Sequence, residues 1–272
     1  MTQWPARLVL VGAGKMGGAM AQGWLDAGLS ASSLTILEPN ASSEIASLAA
    51  GRGVALNPHI AAPPPEMLVL AVKPQSLDQV APQITALAGE HTLLLSIIAG
   101  KTIANLLARL PMARAVVRAI PNTPAAISRA VTAAFANAAV NEVQRRWCER
   151  LLGAVGAFFW LDDEGAIDAV TAISGSGPAY VFALTEALAA AAEKLGLPAE
   201  VSMNLARGTV EGAAELMRRE SATSPAALRR NVTSPGGTTA AALAVLQGPG
   251  GLNDLMASAT AAARARAAEM AG

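Results

Sequence analysis

The chain has 272 residues, enough for one large domain or two smaller ones with a full core and no disulfide staples. Its 20 Lys and Arg balance 20 Asp and Glu, so no net field draws it to nucleic acid or to an anionic membrane. A single cysteine, Cys148, excludes an internal disulfide and fits a reducing, cytoplasmic setting. Beside Trp147 it reads as an inert, partly buried thiol. His59 and His91 have no ligand-spaced neighbours, so no metal site is expected. The apolar runs 68–72 and 93–99 are strand-sized, far short of the ~20 residues of a spanning helix, and no membrane partner is expected. Hydrophobic residues reach 53%, much of it alanine, with only 3% aromatic; such helices pack closely and point to partner subunits that finish burying them.

Residues 1–162 alternate short apolar runs with helical patterns. Strands are predicted at 7–11, 34–37, 67–72, 92–96, 115–119, 131–135 and 157–161, with helices at 15–26, 42–50, 76–87, 102–110 and 141–152. This alternation predicts an α/β Rossmann-type domain with a mainly parallel sheet, covered on both faces because its strands are continuous apolar runs. The stretch 61–66, Ala-Ala-Pro-Pro-Pro-Glu, reads as a short stiff loop. From residue 163 the strands stop, and helices are predicted at 164–173, 178–195, 199–220, 224–231, 238–247 and 253–270. The second domain, 163–272, is therefore read as all-α.

The run Gly12-Ala13-Gly14-Lys15-Met16-Gly17 follows the first strand and opens the first helix, the context that a dinucleotide-binding glycine fingerprint requires. Its first glycine makes the turn, the second admits a pyrophosphate and the third lets helix and strand pack closely. Glu38 ends the next strand. It is either an exposed strand-end acid or the acceptor for an adenosine ribose. In the second role it repels a 2′-phosphate, and no Arg or Lys lies in 38–43 to welcome one, which by itself favours NADH over NADPH. Ala71-Val72-Lys73-Pro74-Gln75 ends another strand, and Pro74 forces Lys73 out of helical geometry, free to face the crevice. Ala99-Gly100 and Arg118-Ala-Ile-Pro-Asn-Thr-Pro124 end two more strands on the same rim, the latter stiffened by prolines and braced by Asn122.

Two runs mark the helical half. Ser174-Gly-Ser-Gly-Pro-Ala-Tyr180 lacks the strand-turn-helix setting and the histidine of a hydrolase elbow; its glycines suit a tight joint between helices, with Pro178 starting the second. The small-residue stripe 187–192 reads as close helix packing at a subunit contact. Val232-Thr-Ser-Pro-Gly-Gly-Thr-Thr239 opens a helix whose first turn holds no acid. Read alone it is either a capped helix start, with Thr233 or Ser234 as N-cap, or a pocket for a small anion at free N–H groups.

In order and spacing the glycine fingerprint, Ala71–Gln75, Arg118–Pro124, Ser174–Tyr180 and Val232–Thr239 closely resemble pyrroline-5-carboxylate reductase, over nearly the whole chain. The last two runs are far more specific than the fingerprint. The resemblance implies reduction of the cyclic imino acid 1-pyrroline-5-carboxylate to L-proline by NADPH or NADH, the last step of proline biosynthesis. It implies a Rossmann domain followed by an all-helical dimerisation domain, a homodimer through the helices, and further assembly as far as decamers. Carried over by residue, it implies that Ser234, Gly236, Gly237 and Thr238 hold the substrate carboxylate and that Thr239, the catalytic candidate, lies near the ring nitrogen. Asn231 then contacts the cofactor, Asn57 lies on the adenosine side, and Glu164 lies near the substrate amine. On sequence alone, Glu164 is equally a helix N-terminal charge. NADPH is the usual cofactor of the resembled family, at odds with the Glu38 argument, so the expectation remains NAD(P)H. Arg129-Ala130 departs from the glycine common before the next strand.

Overall fold

A computed structural model describes residues 4–59 and 63–271; Ala61 and Ala62 of the proline-rich loop lie outside them. The strands are β1 (Leu8–Val11), β2 (Leu34–Leu37), β3 (Ala55–Leu56), β4 (Met67–Leu70), β5 (Leu93–Ser96), β6 (Val116–Ile120), β7 (Ala130–Ala136) and β8 (Gly156–Trp160). They form one sheet in the order β3-β2-β1-β4-β5-β6-β7-β8. Every adjacent pair is parallel except β6 with β7. The chain winds outward from β1 to β3 and then returns beside β1 at β4. The carboxyl ends of β1 and β4 therefore flank the topological switch point, where open α/β sheets bind ligands.

Helices α1 (Lys15–Asp26), α2 (Ser43–Arg52) and α5 (Glu142–Gly153) cover one face of the sheet, and α3 (Leu77–Ile84) and α4 (Ile103–Arg109) the other. The alternating side chains of β1 make the split plain: Leu8 and Leu10 pack with Trp24 and Leu151, while Val9 and Val11 pack with Leu77 and Leu106. Local chemistry fixes the helix starts. The Ser42 hydroxyl accepts the Ile45 N–H, and Thr102 with Asn105 and Asn141 with Gln144 form reciprocal capping boxes. Pro82 removes one rung from α3, and the predicted helix 76–87 resolves into α3 followed by a 3₁₀ turn, Thr85–Leu87.

Beyond the sheet come α6 (Ala166–Val170), a π turn (Thr171–Gly175), α7 (Gly177–Lys194), α8 (Ala199–Arg219), α9 (Pro225–Asn231), α10 (Thr238–Leu246) and α11 (Leu252–Ala271). Two compact units emerge: residues 1–176 with 263–272, and residues 177–262. The second consists of helices whose apolar faces stand open, with Phe182 63% exposed and Val181, Leu184, Leu205 and Leu255 exposed with it.

One strand goes beyond the sequence expectations and two expectations need correction. The short edge strand β3 carries too little pattern to be seen in the sequence. Helices 164–173 and 178–195 are not separated by a joint; they form one helical run, Ala166–Lys194, through the π turn. That run, with a mean hydropathy of 1.2 and 11% of its most apolar window buried, is long and apolar enough to cross a membrane by length and composition alone, which the broken sequence reading concealed. Finally, Cys148 is fully rather than partly buried, on the inner face of α5.

Burial pushes the Cys148 thiol above its ordinary range, so it stays protonated at neutral and mildly alkaline pH. At pH 8 the folded protein should therefore not react with a thiol-specific reagent, and one equivalent should react on addition of guanidinium. Prompt labelling of the folded chain would contradict this packing.

Candidate active site

The fingerprint is built by close approach of two backbones. Gly12 has φ +91°, and a Cβ there would lie 2.8 Å from the Ala71 carbonyl at the end of β4. A Cβ on Gly17 would overlap the Gly12 carbonyl oxygen, so α1 can start against the strand only with glycine in that place. Gly14 is different: nothing within 4 Å would meet its Cβ. It is the N-cap of α1 without a side-chain cap, and the first turn contains no acid. Open backbone and free N–H groups at a helix start fit a pyrophosphate.

Beside this loop lies a cavity of about 640 Å³ lined by Gly12, Gly14, Glu38, Asn57, Val72 and Lys73 among others. Lys73 has φ −67° and ψ 147°, extended as the following Pro74 requires, and Pro74 opens a 3₁₀ turn. Asn57, at φ +51°, clamps the end of β2: its Oδ1 accepts the Glu38 N–H at 2.8 Å and its Nδ2 donates to the Glu38 carbonyl at 2.9 Å. The Glu38 carboxylate accepts the N–H of Ala13 at 2.9 Å and of Asn40 at 3.2 Å. It is thus a fixed negative charge tied to the fingerprint itself, with lone pairs to spare for a further donor. Sequence reasoning missed this tie, because nothing in the sequence marks which carboxylate the Ala13 amide will meet. A second groove of about 910 Å³ continues past Ala13, Gly14 and Lys15 along α1. Met16, in the first turn of α1, packs partly against the core.

At the carboxyl ends of β5 and β6 the site is braced. Ala99 and Gly100 turn the chain toward α4, and a Cβ on Gly100 would lie 2.9 Å from the Met270 Cβ at the end of α11. In β6 a charged residue sits in a buried apolar strand: the Arg118 side chain is 5% exposed. Its guanidinium faces Glu164 Oε1 at 3.3 Å and Asp168 Oδ1 at 3.6 Å. Glu164 Oε1 also accepts the Ile103 N–H at 2.8 Å. Glu164, read from sequence as a substrate-side acid or a helix charge, is therefore committed through one oxygen to Arg118 and α4. The signal for this pairing was present: a lone arginine in a buried strand demands carboxylates, and Glu164 and Asp168 stand four residues apart.

In the second unit the Ser234-Pro-Gly-Gly237 run forms a turn closed by the Gly237 N–H to the Ser234 carbonyl at 3.0 Å, with Gly236 at φ +68°. Proline second and a positive-φ glycine third is the signature of a type II turn. The N-cap of α10 is Gly237, not Thr233 or Ser234, and no side chain caps it. The Thr233 hydroxyl is used elsewhere, on the Arg229 carbonyl. The first N–H groups of α10, those of Thr238 and Thr239 included, are left without intrahelical acceptors, and no acid lies in the first turn. Asn231 is the exposed last residue of α9.

Comparison with known proteins decides the family. Over 267 residues, 97% of each chain, the sequence is 41% identical to the pyrroline-5-carboxylate reductase of Pseudomonas aeruginosa. The chain belongs to the pyrroline-5-carboxylate reductase family. Residues 164–270 match the family model for pyrroline-5-carboxylate reductase dimerisation, and residues 7–100 that for NADP oxidoreductase, coenzyme F420-dependent. A solved pyrroline-5-carboxylate reductase from Coxiella burnetii superposes with a TM-score of 0.89 at 33% identity, covering 98% of this chain and 99% of that one. The Plasmodium falciparum pyrroline carboxylate reductase, solved with NADP bound, gives 0.79 at 27% identity, covering 98% of both. The protein is an oxidoreductase that uses NAD(P)H on a small-molecule imine in proline biosynthesis, and it self-associates.

Breaking the Arg118 cluster leaves two carboxylates without their shared cation. Arg118→Ala should lower unfolding stability by about 3–5 kcal/mol, measured from urea midpoints. A loss below about 1 kcal/mol would place the pairs among weak surface contacts.

Proposed function

We propose that the Ser234–Thr239 turn holds the carboxylate of 1-pyrroline-5-carboxylate and that the β1–β4 crevice holds the dinucleotide. Residues 1–162 then act as the nucleotide domain and 163–272 as the substrate and dimerisation domain. The observation that carries the substrate reading is the uncapped start of α10 behind the positive-φ Gly236. Main-chain N–H groups at Gly236, Gly237, Thr238 and Thr239, with the Ser234 hydroxyl beside them, suit a carboxylate.

On the nucleotide side, the pyrophosphate lies over Gly12, Ala13, Gly14, Lys15, Met16 and Gly17. Glu38 and Asn57, locked together through the Glu38 backbone, would hold the adenosine side, with Ala71, Val72, Lys73 and Pro74 on the opposite wall. The nicotinamide half extends along Ala99 and the end of β6. Asn231 adds a cofactor contact from the helical half. When bound, the reduced nicotinamide supplies the hydride to the imine carbon. The protein orients the imine and raises its electrophilicity. The Thr239 hydroxyl donates a hydrogen bond at the ring nitrogen and orients the proton that nitrogen gains. A threonine hydroxyl is a poor acid, so it relays a proton from water rather than generating one. Glu164, held by Arg118, contributes negative charge that favours the protonated imine. The open apolar faces of the helical unit support burial against a second copy rather than in lipid. The assembly is a homodimer through those helices, extending to decamers in the cytoplasm, with no nucleic-acid or membrane partner.

Two measurements test the roles. Thr239→Ala should lower kcat by about 10- to 100-fold while the KM for the nicotinamide cofactor stays constant; unchanged turnover would remove Thr239 from the reaction. Glu38, fixed by two amides, disfavours a 2′-phosphate. Glu38→Gln should move the ratio of kcat/KM for NADH over NADPH toward NADPH by about tenfold, or about 1.4 kcal/mol. A constant ratio would show that Glu38 does not face the ribose.

A further inference from the structure

Pro178 deprives a carbonyl of its helical donor. In an α-helix the Ser174 carbonyl accepts the N–H of residue 178, and proline has none. The π turn Thr171–Gly175 contains that carbonyl, and the ladder passes through a five-residue step there, from Ser176 N–H to the Thr171 carbonyl. The donor comes instead from the sheet: Asn122 Nδ2 donates to the Ser174 carbonyl at 2.9 Å. The other end of the same amide accepts the Val131 N–H at 2.9 Å. Pairing of β6 with β7 ends at Ile120 and Ala133, so Val131 lies past the last paired residue, and the Asn122 side chain supplies an acceptor there. Both partners are unambiguous in kind, since an N–H only donates and a carbonyl only accepts, which fixes the orientation of the amide. Asn122 is 7% exposed.

We infer that Asn122, acting through the Ser174 carbonyl that Pro178 leaves open, is a positioning residue for the reduction. It fixes the Pro121–Pro124 loop at the end of β6. This rests on the reading above, in which the nicotinamide half runs along that strand end. The loop begins and ends in proline, and its 3₁₀ turn starts directly after Asn122. A stiff segment clamped at its second residue moves as one piece, so the clamp sets the position of the whole wall. Arg118, four residues earlier and within β6, ties that strand to α6, and Asn122 makes a second tie just past the strand end.

The test removes the cause rather than the clamp. Pro178→Ala gives residue 178 an N–H that competes with Asn122 for the Ser174 carbonyl, while alanine suits the helix better than proline. The thermal midpoint should stay constant or rise. The affinity for NADPH, read from its fluorescence, should stay within about twofold. Deuterium exchange in peptides spanning 121–131 should accelerate about tenfold, and kcat should fall about tenfold. Asn122→Ala should give the same kinetic and exchange pattern with a lowered thermal midpoint. Wild-type exchange in Pro178→Ala would overturn the clamp, and faster exchange with wild-type kcat would overturn its role in positioning. If the unaltered protein fails to reduce the imine, the functional reading falls, and the exchange comparison still decides whether Pro178 directs Asn122.

Discussion

The closeness of β1, its glycine turn and α1 to the end of β4 is the constraint on which the rest is built. Two positions admit only hydrogen in place of a side chain: Gly12 against the Ala71 carbonyl, and Gly17 against the Gly12 carbonyl. That approach puts the open N-terminus of α1 at the point where the sheet changes direction. It also leaves Gly14 with nothing in front of it. Helix dipole, unpaired N–H groups and crevice therefore coincide, and the proposed pyrophosphate site rests on that coincidence.

Around that frame, polar groups in buried places solve a second problem. A parallel sheet covered on both faces has no room for unpaired charge, yet β6 carries Arg118 and is followed two residues past its end by the buried Asn122. Each is satisfied by the segment that follows the sheet: Arg118 by Glu164 and Asp168, Asn122 by the Ser174 carbonyl. Such pairings contribute little net stability against an apolar substitute, but they are costly to break singly and they admit one register only. The carboxyl rim of the sheet is thereby held to the first turns of the helical region by directional bonds rather than by apolar contact alone.

The helical unit, residues 177–262, poses the opposite problem. Its sequence is rich in alanine and leucine, but within one chain most of these side chains remain exposed. The stretch Ala166–Lys194 satisfies a length-and-hydropathy criterion for a membrane span, yet it falls wholly within the region matched to the dimerisation family. A self-associating protein meets both facts at once, since a second copy can cover what one chain leaves open.

Much of this architecture was legible in the sequence. Seven of the strands lie where period and apolar runs put them, α1 spans the predicted residues, and Ser42, Thr102 and Asn141 begin their helices through local hydrogen bonds. The fingerprint and the Ser-Pro-Gly-Gly turn were equally plain, because each needs only its own few residues to adopt its shape. The π turn, the antiparallel entry of β7, the edge strand β3, the bond from Ala13 to Glu38 and the uncapped start of α10 were not. Arg118 meets Glu164 across 46 residues, and Asn122 meets Ser174 across 52. By itself the sequence determined which groups would lack a local partner: a proline without its N–H, an arginine in an apolar strand, a helix start without an acid. Only the tertiary structure decided which distant group would answer each, because that choice follows from the order of strands in the sheet, and strand order is a property of the packed whole.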